Sequence, residues 1–107
     1  MSDHKDLNTE DQDRLDAATF RRFLDHLAMN TGVQNIDLMI LADFCRNCLS
    51  KWYKAAADDA GLDVSMEEAK ERIYGMSYKE WKNRYQQEAS AEQLAALQAR
   101  QDRKGQI

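Results

Sequence analysis

The sequence predicts an all-α protein, a small bundle of about four helices that homodimerisation completes. Its apolar residues recur alternately every three and four positions, which is the period of an amphipathic helix. A glycine follows each periodic stretch and can end the helix in a left-handed conformation. The 107 residues are enough for one domain, and no run alternates apolar and polar residues over the length of a strand.

The first half of the chain contains two predicted helices. The first covers residues 9–30 and begins at the capping-box sequence TEDQ, in which Thr9 stands three residues before Gln12. The second covers residues 36–60, with Asn35 as the residue that can cap it. The apolar flank of the first helix consists of Phe20, Phe23, Leu24 and Leu27.

The second half contains two more predicted helices. SMEE at Ser65 starts a helix over residues 66–74, and SYKE at Ser77 starts another over 78–102. The sequence SAEQ at Ser90 offers a fresh cap that can break this last helix in two.

The same pattern divides the chain into three parts. Residues 1–8 are polar and predict a flexible N-terminus, and residues 9–88 hold the helical domain. Residues 89–107 predict a helical extension with a frayed C-terminus, because the final stretch RQDRKGQI is almost wholly polar.

Charge and hydropathy exclude several classes of partner. The net charge of −4 and the pI near 5.1 argue against nucleic acid, whose binding requires clustered Lys and Arg. The N-terminus lacks the apolar core of a signal peptide, and no window is apolar enough for a membrane span. We therefore expect a cytoplasmic protein with no membrane partner.

The two cysteines form a CxxC motif, Cys45 and Cys48, on the predicted second helix. On a continuous helix they occupy the middle of an apolar stripe that consists of Leu38, Leu41, Cys45, Cys48, Trp52 and Ala55. The opposite face is polar and consists of Asp43, Asn47, Ser50, Lys51 and Lys54. Because free cysteine is among the most often buried residues, the first interpretation of the pair is simple core packing.

A metal site and a redox pair are the two alternatives for these cysteines. Zinc needs at least three protein ligands, so His26, or His4 in the N-terminal segment, would have to join Cys45 and Cys48, or a twofold axis would have to join two pairs. Redox chemistry needs a thiolate, which is favoured at a helix N-terminus. Cys45 is predicted about nine residues inside its helix, where the dipole gives the thiolate little help.

Aromatic residues form a second candidate site. Tyr78, Trp81 and Tyr85 share one face of the fourth helix, and Trp52 and Tyr53 could meet them across an antiparallel packing. These five residues are interpreted first as core. The alternative is an aromatic anchor for a protein partner, since Trp and Tyr are enriched among interface hot spots.

Three motifs, NIDLM, FCRNCL and YGMSYKEWK, closely resemble a family of short bacterial proteins known as the domain of unknown function numbered twelve forty-four. The resemblance covers roughly residues 20–86, and the tail after Glu88 lies outside it. It implies an all-helical bacterial protein with the cysteine helix at its centre. It implies no activity, because the family has none established.

The sequence contains no catalytic signature and no glycine-rich phosphate loop, so an enzyme is not the first expectation. The leading hypothesis is a homodimeric module that binds other proteins or itself, because the four apolar stripes need more cover than one short third helix supplies. The alternative hypothesis is a metal-binding or thiol-dependent protein built on Cys45 and Cys48, with zinc as the candidate metal.

Overall fold

The structure, a computed structural model, describes residues 7–105. The chain divides into two compact units, the first ending at Asn30 and the second beginning at Thr31. All regular structure in residues 7–105 is helical, which confirms the predicted all-α class. None of the helices in this range has the length and apolar character that crossing a membrane requires.

Helix α1 is the regular element of the first unit and covers Thr9–Ala28. Its N-cap is Asn8 rather than the predicted Thr9, since the Asn8 side chain accepts a hydrogen bond of 2.7 Å from the backbone N–H of Asp11. Asn is at least as good a cap as Thr, so the helix begins where its capping bond is made. Leu24 and Leu27 are its buried residues.

The second unit contains the five remaining helices of the described chain. In order, they are α2 (Asn35–Ala42), α3 (Arg46–Asp59), α4 (Met66–Tyr74), α5 (Tyr78–Tyr85) and α6 (Ala91–Gly105). Helix α3 packs against α4, α4 packs against α5, and α2 packs against α6.

The predicted second helix over residues 36–60 is wrong as a single element, because the chain turns between α2 and α3. Asp43 adopts the left-handed conformation, with φ 59° and ψ 37°, and its N–H donates a hydrogen bond of 3.0 Å to Met39 O. The Asp43 carboxylate accepts a hydrogen bond of 2.7 Å from Lys104 Nζ in α6. Aspartate visits this conformation more readily than most residues, so the turn forms without glycine.

The break also changes the faces that the sequence predicts. Leu41 is 75% exposed and Trp52 is 59% exposed, although both were expected in the buried stripe. Ser50, expected on the polar face, is fully buried and donates a hydrogen bond of 3.0 Å to Arg46 O. The inward face of α3 instead carries Leu49 and Ala57, because α3 starts afresh after the turn and has its own rotation.

Three of the five predicted caps are confirmed, and two, Thr9 and Asn35, are wrong. Ser65, Ser77 and Ser90 each accept a hydrogen bond of 3.0–3.1 Å from the backbone N–H three residues later. The cap at Ser90 separates α5 from α6, so the last predicted helix is broken in two. The predicted cap Asn35 is the first residue of α2, and Gln34 is the N-cap.

The core of the second unit is built from residues of α2, α3, α4 and α5 and from Cys45, which precedes α3. Its buried hydrophobic residues are Leu38, Cys45, Leu49, Ala57, Ala69, Ile73, Tyr74 and Trp81. Three polar residues, Gln34, Arg46 and Ser50, are buried with them. The Gln34 side chain donates to Tyr85 O at 3.0 Å and accepts from Gln87 N–H at 2.8 Å, which ties the start of α2 to the end of α5.

Candidate thiol site at the start of helix α3

The turn after α2 delivers both cysteines to the N-terminus of α3. Cys45 is the N-cap residue, with an extended backbone of φ −152° and ψ 178°, and Cys48 is the third residue of the helix. Their Sγ atoms lie 3.5 Å apart. Cys45 is buried at 7% exposure, whereas Cys48 is half-buried.

This position overturns the expectation that Cys45 lies in the middle of a helix. The first N–H groups of a helix have no partner within it and carry the positive end of its dipole. A thiolate formed at this end is therefore stabilised, whereas one in the middle of a helix is not. The expectation that the helix dipole gives a Cys45 thiolate little help is therefore wrong.

The electrostatics of Cys45 combine two opposing effects. Burial raises the pKa of the Cys45 thiol, because a charged thiolate loses its hydration there. The backbone N–H groups of Cys48 and Asn47 act in the opposite direction, since they stabilise the thiolate. Burial is the larger effect, so Cys45 is a neutral thiol at neutral pH.

Arg46 lies between the cysteines in sequence and is only 2% exposed. Its Nη1 donates to Val33 O at 2.8 Å and to Asn35 Oδ1 at 3.2 Å, and its backbone N–H also donates to Asn35 Oδ1 at 3.2 Å. Burial lowers the pKa of the guanidinium, but arginine starts so high that the group stays charged. Arg46 thus joins the start of α3 to the start of α2.

The ring of Trp81 receives the guanidinium of Arg46, whose Cζ lies 4.8 Å from the ring centroid. This distance is within the range of a cation–π interaction. Trp81 is itself 2% exposed, so the contact is shielded from water. The charge of Arg46 is therefore held by oxygen acceptors and an aromatic face.

Tyr74, in α4, belongs to the same hydrogen-bond network as Arg46 and Asn35. Its hydroxyl donates to Asn47 Oδ1 at 2.8 Å and accepts from Asn35 Nδ2 at 3.0 Å. Burial raises the pKa of Tyr74 to about 12, with a smaller opposing contribution from Asn35. The phenol is therefore a permanent hydrogen-bond donor at neutral pH.

The five aromatic residues predicted to lie together fall into two groups in the structure. Trp81 is buried and its ring centroid lies 5.9 Å from that of Tyr85 and 5.1 Å from that of Tyr74. Tyr78 joins the same cluster through Tyr74, at 5.3 Å. The other two predicted interaction residues lie on α3, where Trp52 is largely exposed and Tyr53 is half-buried.

The predicted metal ligands are not gathered into a three-ligand set within residues 7–105. No group of three or more His, Cys, Asp and Glu side chains in that range could hold a metal ion. His26 lies in the last turn of α1, in the first unit of the chain. A zinc ion shared by two chains, with two cysteines from each, stays a prediction.

Sequence reasoning missed the polar network that supports the cysteines. Asn35 was expected only as a cap, and neither Arg46 nor Tyr74 was expected to be buried. The signal for Asn35 was its place just before an apolar helix, which is also the place of a cap. For Arg46 the sequence offers no signal, because a charged residue near a helix start is usually solvated.

Comparison with known proteins gives one informative match. A family model described as "Protein of unknown function (DUF1244)" matches residues 33–99. The match begins near the start of the second unit and reaches into α6, so it includes part of the tail that the sequence resemblance left out. All residues of the thiol site lie inside the match. The comparison with curated proteins found no match.

Proposed function

Because the chain belongs to the family described as Protein of unknown function (DUF1244), which brings no activity with it, we propose a function from geometry alone. The protein is a thiol–disulfide protein, and Cys45 and Cys48 are its redox pair. The pair exchanges electrons with external disulfides by forming and breaking one intramolecular disulfide bond.

The observation that carries this proposal is the Sγ–Sγ distance of 3.5 Å at the N-terminus of α3. A disulfide bond has a length near 2.05 Å, so the two sulfur atoms need to approach each other by only about 1.5 Å. A spacing of three residues at a helix start is compatible with such a bond and is the arrangement of the CxxC motif in disulfide oxidoreductases. Simple core packing requires neither the helix start nor the sulfur contact.

The chemistry is a two-step exchange with an external disulfide as the oxidant. One cysteine thiolate attacks a sulfur of that disulfide, and the other external sulfur leaves as a thiolate and takes a proton. The second cysteine then loses its proton and attacks the mixed disulfide, which releases the remaining external thiol. In total, two cysteine thiols are oxidised, one external disulfide is reduced, and two protons pass to the released thiols.

The proposal is tested by treating reduced protein with oxidised glutathione and measuring its intact mass. We expect a loss of roughly 2 Da, which marks an intramolecular disulfide, and full recovery of the starting mass with excess dithiothreitol. Circular dichroism before and after shows that the reacting species is folded. Thiols that stay unreactive in the folded protein, or that stop at a stable glutathione adduct, would contradict the proposal.

The second candidate function is a homodimeric protein-interaction module. It is supported by the exposed apolar side chains of Leu41 at 75% and Trp52 at 59%, which a second copy could cover. Sedimentation equilibrium at micromolar concentration should then give twice the 12.4 kDa chain mass. A mass of one chain that does not change on concentration would exclude the dimer.

Zinc analysis of the same sample separates the metal alternative. If two chains share one ion through four cysteines, the protein should contain about half a zinc ion per chain. Purification without an affinity tag keeps the analysis free of added histidines. Protein that is dimeric and free of metal would support the interaction module without the shared site.

A further inference from the structure

Building on the proposed thiol–disulfide function, we propose that Cys48 is the attacking thiol and that Trp52 binds the polypeptide that carries the disulfide under attack. The substrate class is therefore a disulfide within a peptide or protein, and Trp52 is a specificity-determining residue. Small disulfides such as oxidised glutathione react at the same sulfur without this contact.

The two sulfur atoms differ in their exposure to solvent. Cys45 is 7% exposed and lies in the core, whereas Cys48 is half-buried and reaches the surface of α3. An incoming disulfide needs an approach along its S–S axis, which a buried sulfur does not offer. Cys48 is accordingly the nucleophile. Cys45, 3.5 Å away, is placed to attack the mixed disulfide from the protein side.

Trp52 follows Cys48 by four residues, which is about one helical turn. Residues four apart lie on the same face of a helix, and long side chains lean toward the helix N-terminus. Trp52 therefore lies on the face of α3 that carries Cys48, one turn further along the helix. The indole is open to a partner, since Trp52 is largely exposed.

An exposed indole favours apolar ligands of extended length. Trp52 is 59% exposed, although tryptophan is the residue whose burial contributes most to protein interfaces. A peptide chain beside a disulfide offers apolar side chains and backbone groups over several residues, which an indole can cover. Glutathione is short and charged and offers little apolar surface. The contact therefore favours polypeptide disulfides over small ones.

The reaction balances without any further reagent. The Cys48 thiolate forms a bond to one substrate sulfur, and the second substrate sulfur leaves and takes a proton. Cys45 then gives up its proton and bonds to Cys48 Sγ, which releases the first substrate sulfur as the second thiol. The substrate gains two electrons and two protons, and the cysteine pair loses the same number.

The test compares Trp52→Ala with Leu94→Ala, a matched loss of an apolar side chain that is 55% exposed on α6. Each reduced variant is mixed with oxidised glutathione or with a disulfide-bonded peptide of about ten residues that has aromatic residues beside its cysteines. We expect Trp52→Ala to lower the second-order rate constant for the peptide about tenfold and that for glutathione by less than twofold. Leu94→Ala should change both by less than twofold.

Equal slowing of both oxidants by Trp52→Ala, or no slowing of either, would overturn the role of Trp52. These outcomes leave the proposed function standing, because the wild-type pair still reacts. Failure of wild-type protein to react with either oxidant would instead overturn the proposed function itself. The two failures are thus distinguished in one set of measurements.

The role of Cys48 is tested with single-cysteine variants and the wild type. Cys45→Ser should form a stable mixed disulfide on Cys48, and Cys48→Ser should form one on Cys45 at least about tenfold more slowly. Alkylation of wild-type protein with iodoacetamide, followed by peptide mapping, avoids any folding defect of the variants and should label Cys48 first. Faster labelling of Cys45 would overturn the assignment.

Discussion

Arg46 shows at the scale of one residue how the thiol site is held in place. A guanidinium buried at 2% exposure is costly unless its N–H groups find acceptors. Val33 O and Asn35 Oδ1 supply them, and the ring of Trp81 lies against the group. The same bonds fix the first residue of α3 against the first residue of α2, and so fix the position of Cys45.

Replacing Arg46 with methionine keeps most of the volume and removes the donors. Val33 O then loses its partner, whereas Asn35 Oδ1 keeps the bond from the backbone N–H of residue 46, so we expect the free energy of unfolding to fall by about 1–3 kcal/mol. Urea unfolding followed by circular dichroism measures this change. Arg72→Met, at an exposed site on α4, is the matched control and should cost less than about 0.5 kcal/mol.

The raised pKa of Tyr74 predicts that the folded protein loses stability at alkaline pH. Its pKa of about 12 in the folded protein exceeds the ordinary value near 10, so the stabilisation is complete below pH about 10 and is lost as the pH rises toward 12. We expect wild-type protein to lose on the order of 1–2 kcal/mol more than Tyr74→Phe across this window. Unfolding curves at pH 9 and above, on both proteins, measure the difference, and parallel losses would contradict the raised pKa.

At the scale of helices, the sequence correctly predicted the helix ends that are capped by side chains from neighbouring positions. Ser65, Ser77 and Ser90 cap their helices because the hydroxyl, the amide and the acidic or amide side chain all lie within four residues. Such signals can be recognised without knowledge of the fold. The division of the last predicted helix into α5 and α6 follows from the same signal at Ser90.

The break between α2 and α3 could not be predicted in the same way. The segment from Asn35 to Leu49 has no glycine or proline, and its apolar residues keep a helical period straight through the turn. The turn depends on contacts that are distant in sequence, namely Asp43 with Lys104 and Asn35 with Tyr74. Because the cysteines follow this turn, their position at the start of a helix could not be predicted from the sequence either.

Two substitutions at Asp43 test the turn between α2 and α3, because the turn determines which of the two variants is more stable. Alanine and glycine both remove the contact with Lys104, so their difference reports the backbone alone. In the left-handed conformation, at φ 59°, glycine should be more stable than alanine by about 1 kcal/mol. In a continuous helix the order reverses, with alanine better by about 1 kcal/mol. Urea unfolding of Asp43→Gly and Asp43→Ala therefore distinguishes the two structures by sign.

At the scale of the whole molecule, the thiol site belongs to the second unit. The residues that position the cysteines come from α2, α3, α4 and α5, and all lie within the stretch that matches the family. A disulfide formed in this setting is linked to folding. If the fold holds the two sulfur atoms together, it favours the disulfide, and the disulfide must stabilise the fold by the same free energy.

The most direct test of a paired thiol site is the equilibrium between dithiol and disulfide in glutathione buffers, measured on native protein and on protein unfolded in urea. Quenching with acid and separating the two forms gives the equilibrium constant in each state. We expect the native constant to exceed the unfolded one at least about tenfold, and the oxidised protein to be more stable than the reduced protein by about 1.4 kcal/mol or more. An equilibrium constant in the native protein equal to or below that of the unfolded chain would contradict the claim that the fold prepares Cys45 and Cys48 for disulfide exchange.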